Sequence, residues 1–213
     1  MYRVVIPGAV WVALTLNCVA QASLVDFEDI SNVGFVRVGQ TITSQGFTIG
    51  FAEFTNFNGT TYSSGSARLE ESLSYINFTT RSIFTSNINM VFDFAGSIGR
   101  QSQMIIELDG HGGSLNLQIN PDAGGSVIYI PKLANLADPS INGAAINGVH
   151  VAVDISIAPQ SITLTGPIDK VLIGGQETFY DNISFVSSIP EPTSALLLAT
   201  LALTPLHRKR RPA

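Results

Sequence analysis

Between Leu24 and Ser188, apolar and polar residues alternate with a period of two, in short runs separated by clusters of Gly, Asn, Asp and Ser. Nowhere does an apolar stripe of 3.6-residue spacing persist for three helical turns, so the pattern predicts a body made almost wholly of strands. The predicted strands are Gly46–Phe54, Ser74–Thr79, Asn87–Phe94, Met104–Asp109, Ser114–Ile119, Ser126–Ile130, Val149–Ile157, Ser161–Thr165, Lys170–Ile173 and Thr178–Val186. Turns are expected at Asn56–Gly59, Gly110–Gly113, Asn120–Gly125, Asn135–Gly148 and Gly174–Gln176, where Gly and Asn tolerate the positive φ of tight reversals. The alternation also assigns faces. Val149, Val151, Val153, Ile155 and Ile157 should point inward, and Leu115, Leu117 and Ile119 should lie opposite a wet face of Ser114, Asn116 and Gln118. About ten antiparallel strands of this size pack as two facing sheets, so the expected fold is all-β, a jelly-roll-like antiparallel β-sandwich.

Both ends break the alternation. Residues 1–22 carry Arg3, an apolar run from Val4 to Leu16, and Ala20-Gln21-Ala22 before Ser23. A basic head, a core too short to span permanently and small residues at Ala20 and Ala22 read as a signal helix that signal peptidase removes ahead of Ser23. Cys18, the only cysteine, leaves with it, because Asn17 stands where lipid-acylation signals need a small residue. At the other end, Pro190-Glu191-Pro192 stops the last strand and Ser194 can cap a short hydrophobic helix over Ala195–Leu206. The cations Arg208, Lys209, Arg210 and Arg211 then hold its far end on the cytoplasmic side. Twelve apolar residues reach about 18 Å, short of the ~30 Å hydrocarbon core, so this segment suits transient inner-membrane contact better than a lasting anchor. The domain organisation is therefore 1–22 signal peptide, 23–188 sandwich and 189–213 sorting tail.

Charge narrows the function. The 213 residues are 45% apolar and 13% charged. Without Arg3, the four C-terminal cations and Glu191, the body keeps 6 basic against 15 acidic groups, a net charge of −9. A body so acidic, with no basic stripe, repels phosphate backbones, which argues against nucleic-acid binding.

The tail, read as Pro190-Glu191-Pro192, then an apolar stretch, then Arg208-Lys209-Arg210-Arg211, closely resembles the PEP-CTERM sorting signal of exopolysaccharide-producing Gram-negative bacteria. The resemblance covers about 24 residues. It implies recognition and processing by an exosortase-type enzyme and delivery to the cell surface, outer membrane or extracellular matrix, and implies nothing about the body. An ordinary single-pass tail anchor is the alternative.

Within the body, Asp181 shares strand parity with Phe179, Ile183 and Phe185, and an inward carboxylate needs a partner. The first and last strands of a sandwich often lie side by side, so the opening strand Val25-Asp26-Phe27-Glu28-Asp29 offers three acids that, with Asp181, could hold a hard cation. The closing stretch Gly166–Gln176 with Tyr180-Asp181-Asn182-Ile183, and the opening Asp26-Phe27-Glu28, are similar to jelly-roll carbohydrate-binding and lectin-like domains. That resemblance implies a structural calcium on Glu28 and Asp181. The alternative is that Asp181 hydrogen-bonds the backbone at a strand end.

Two further groupings carry candidate chemistry. Glu107 and Asp109 share one strand face beside His111 and could do acid–base work on a glycosidic bond, but they also read as solvated acids at a hairpin. Phe51, Phe54, Phe57, Tyr62 and Tyr75 cluster among Asn56, Asn58, Thr60 and Thr61, and Phe54, Phe57 and Tyr62 could form an aromatic platform for a polysaccharide; the alternative is that Phe51 belongs to the core and the rest is a mobile loop. Nucleophile elbows, paired metal-ligating histidines and phosphate loops are absent from the sequence. The expected function is an exported, non-catalytic surface or matrix protein, with a carbohydrate-binding module and a glycan-active enzyme as alternatives.

Overall fold

A computed structural model describes residues 22–31, 34–71, 76–110, 112–124 and 127–187. The expected signal helix with Ala20, and likewise Tyr75, His111 and the whole tail with Pro190, Glu191, Pro192 and Arg208–Arg211, lie outside them, whereas Ala22 and Ser23 are described. Fourteen strands form among the described residues: β1 (Ala22–Val25), β2 (Val36–Arg37), β3 (Thr41–Ser44), β4 (Phe47–Thr55), β5 (Thr61–Tyr62), β6 (Ser66–Glu70) and β7 (Ser82–Asp93) in the first half. β8 (Gln101–Gly110), β9 (Leu115–Ile119), β10 (Val127–Ile130), β11 (Ala145–Ile146), β12 (Val149–Asp154), β13 (Gln160–Ile168) and β14 (Lys170–Ser187) complete them. All pairings are antiparallel, and the expected all-β sandwich is the observed architecture.

Two long strands organise it. The first half of β14 runs between β7 and β9, and its second half runs beside β8, with β7 and then β1 on its other edge. β7 divides in the same way, Ser82–Ser86 facing β6 and Ile88–Val91 facing β4. One set of neighbours is therefore β10-β9-β14-β7-β4-β3 and the other β11-β12-β13-β8-β14-β7-β6-β2. Strands pass from one layer to another through bulges and bends, and the bulges here fall at Asn87 (φ 56°) and at Gln176–Glu177 (φ 73° at Glu177).

The core lies where the inward sets of these strands meet, with Ile49, Met90, Phe92, Met104, Ile106, Leu117, Val151, Leu164, Ile173 and Tyr180 all buried. Each large apolar side chain removed from water there contributes about 1.5–3 kcal/mol. Phe47, Phe92, Phe94 and Phe185 close one end, with ring centroids 5.0–6.4 Å apart. A smaller apolar cluster of Ile76, Phe78 and Phe179, with Phe84 packed on it, lies apart from that core.

Several expectations are corrected. Gly174–Gln176 is no turn: β14 runs through it, and the glycines serve close approach, since a Cβ on Gly174 would lie 2.2 Å from the Ile88 carbonyl oxygen. The strand expected over Val149–Ile157 stops at Asp154, whose carboxylate accepts hydrogen bonds from Ser156 N (2.8 Å) and Oγ (2.6 Å), a local turn that leaves Ile155 and Ile157 exposed. The described part of Ser74–Thr79 is not a strand. Ser114 and Asn116 are buried rather than wet; Asn116 Nδ2 donates to the Thr55 carbonyl at 2.9 Å.

Candidate functional site

The neighbourhood of Asp181 is set by a bulge. Register shifts between Asp181 and Ser184, and Asn182 sits at φ 46°, so the strand's in-out parity flips there. Tyr180, Ile183 and Phe185 enter the main core, while Phe179 belongs to the smaller cluster on the other face. Asp181 therefore goes with Phe179, opposite the face that unbroken alternation gives it. It is nonetheless fully buried.

Two hydrogen bonds hold it, and two other carboxylates lie near it. Thr80 Oγ1 donates to Oδ2 at 2.6 Å, and Asn182 N donates to Oδ1 at 2.7 Å. Glu107 stands opposite it across β8 and accepts from Asn182 Nδ2 at 2.9 Å. Glu28 accepts from Arg81 N at 2.6 Å, while the Arg81 guanidinium turns away to Glu71 and to the Ile30 carbonyl. Burial pushes the Asp181 carboxyl up to about 6; the Thr80 and Asn182 hydrogen bonds oppose this, and the charges of Glu107 and Glu28 add to it.

The opening strand does lie beside the last, with Val25 opposite Ile183, but its acids diverge. Asp29 takes hydrogen bonds from Ser44 Oγ and Gln45 N, both at 2.7 Å, which hold its carboxyl below the usual range. Asp26 accepts from Gln45 Nε2 at 3.0 Å. Only Glu28 of the three is turned to the Asp181 side. Among the described residues, no three His, Cys, Asp or Glu side chains are placed to hold a metal together.

Glu107 and Asp109 are on the outward side of β8, opposite buried Met104, Ile106 and Leu108. Asp109 Oδ2 accepts from Asn77 N (2.8 Å) and Nδ2 (2.7 Å), and Oδ1 from Gly110 N (2.7 Å). Both acids thus act as acceptors that fasten the 76–81 segment and the Asn182 bulge. In the aromatic grouping, Phe54 is fully buried and offers no platform face. Phe57 is 49% exposed, and Tyr62 packs on Phe54 with centroids 6.2 Å apart. Asn56 is occupied within the turn, accepting from Asn58 N and Thr60 N at 3.0 Å.

A small apolar depression of about 90 Å³, lined by Leu24, Phe47, Ile98 and Phe185 among others, falls well below the roughly 300–1,000 Å³ of ligand pockets. No helix among the described residues is long and apolar enough to cross a membrane. No protein-family model, curated protein or solved structure matches the chain. The alternation did not single out Phe35, Arg37 and Arg68, because β2 is only two residues long; the structure brings them together on one face.

Proposed function

We propose that this is an exported, non-catalytic protein of the cell surface or exopolysaccharide matrix, freed from its signal by signal peptidase and processed at its tail by an exosortase-type enzyme. The observation that carries the reading is the order of Pro190-Glu191-Pro192, the apolar segment and Arg208–Arg211 at the end of a chain that opens with an export signal. The body supports it in a subsidiary way. The acids best suited to glycan hydrolysis, Glu107 and Asp109, are committed to structural hydrogen bonds. The experiment is fractionation of producing cells carrying the chain with and without residues 189–213. Equal surface association of the two forms overturns the sorting reading.

A second reading places a structural calcium ion at Glu28 and Asp181. Its support is a set of oxygen donors without a side-chain cation: Glu28, Asp181, Thr80 and Ser82, whose buried Oγ has no hydrogen-bond partner among the described residues. The register that pairs Tyr180 with Ile83 brings Ser82 opposite Asp181. Oxygen-only donors suit a hard cation. An ion at a hundred times its Kd adds about 2.7 kcal/mol, or several degrees in Tm. A Tm unmoved by 1 mM calcium (about a hundredfold over a ~10 µM site) and by chelator rules the ion out.

A further inference from the structure

Val36 and Ala67 are buried partners on β2 and β6, so their neighbours Phe35, Arg37, Ser66 and Arg68 point to the opposite face. Arg68 is paired with Phe84, Phe84 with Phe179, and Phe179 with Asp109, which draws one row across four strands of that face. The row is aromatic and guanidinium by turns: the Arg68 Cζ lies 5.7 Å from the Phe35 ring centroid and 5.2 Å from that of Phe84, and Phe84 and Phe179 are 4.8 Å apart. At the Asp109 end, Ile76 and Phe78 cover it. At the other end it is open. Phe35 is 58% exposed, with the Arg37 Cζ 5.8 Å from its centroid.

The open end has the chemistry of a binding surface. Arg68 is ion-paired with Glu70, whereas Arg37 has no ion pair among the described residues. Beside them, Ser66 and its partner Ser86 present half-buried hydroxyls without partners among the described residues. We infer that Phe35, Arg37 and Arg68 form a contact site for a carboxylated polysaccharide. A pyranose ring lays its C–H face on Phe35, its carboxylate takes the free guanidinium of Arg37, and its hydroxyls reach Ser66 and Ser86. The Arg68 guanidinium holds the ring in place by cation–π contact, which leaves Arg37 to the carboxylate and orders the platform before the sugar arrives. A polyphosphate fits poorly, because it has no C–H face to lay on Phe35 and meets a body of net charge −9. This inference deepens the matrix reading and rests on it.

The test is affinity electrophoresis of the full chain in mild detergent, in gels containing polygalacturonate, dextran, dextran sulfate or polyphosphate. Retardation is expected with polygalacturonate and not with dextran or polyphosphate, and weaker with dextran sulfate. Phe35→Ala and Arg37→Gln should each weaken binding about tenfold while leaving the sandwich folded, since both side chains face solvent. No retardation by polygalacturonate overturns the inference. So does equal retardation by dextran, or by polyphosphate with Phe35→Ala indifferent, which would mark sugar without charge or charge without ring. Failure here with tail-dependent surface delivery intact removes this ligand alone; binding intact with delivery indifferent to the tail removes the sorting reading alone.

Discussion

At the scale of single residues, Asp181 is the clearest case of environment changing chemistry. Its folded-state carboxyl holds its proton to about pH 6, against an ordinary value of 3.8. Between those values the folded state binds more protons than the unfolded one, so Asp181 lowers stability as pH rises from about 4 to about 6, and the loss then stays constant. The effect is at most about 3 kcal/mol. Asp29, Asp138, Asp154 and Asp169 have lowered values and act in the opposite sense, losing stability as pH falls through the acid range. Urea denaturation at pH 4.5 and pH 7 should therefore show Asp181→Asn gaining on the parent at the higher pH, and a difference between the two that does not change with pH contradicts this account. The sequence made it legible that Asp181 was unusual and that Glu28 and Glu107 were candidates. It could not show that the Asn182 bulge turns Asp181 to the other face, because a bulge is one extra residue against a partner strand and leaves no periodic trace.

At the scale of elements, the same limit explains β14. Gly174-Gly175-Gln176 has the composition of a reversal, and the identical composition is needed where other backbone crowds a strand. A Cβ on Gly174 would meet the Ile88 carbonyl oxygen at 2.2 Å and Asn89 Oδ1 at 2.4 Å, whereas one on Gly34 would meet nothing within 4 Å. Gly174→Ala should thus cost about 2–3 kcal/mol in denaturant unfolding and Gly34→Ala almost nothing. Similar values for both would mean that β14 does not pass this close to β7. Strands with one clean apolar face, such as β4 and β9, were legible from alternation alone, as were the turn at Asn56–Gly59 and the pairing of first and last strands. β2 and β5 were not, since two residues carry no period. That shortness is also why the Phe35–Arg37–Arg68 face had to be read from register and distances.

At the scale of the whole molecule, the proposed function gives the acidic body and the two ends separate duties. The sandwich buries its apolar alternation, spends its acids on cross-links such as Asp109–Asn77 and Asp29–Ser44, and presents ring and cation at one open edge. On the proposed reading, residues 1–22 and 189–213 set where that body is delivered, so a mutation in either should change location without changing the unfolding midpoint of the body. The most direct measurement is the intact mass and cellular location of the chain in its producing cell, for the full sequence and for the form lacking residues 189–213. The account predicts a surface-associated product that begins at Ser23 and has lost the Arg208–Arg211 end, and a deletion form that is exported but no longer surface-associated. Recovery of the full-length mass, or equal surface association of both forms, would contradict it.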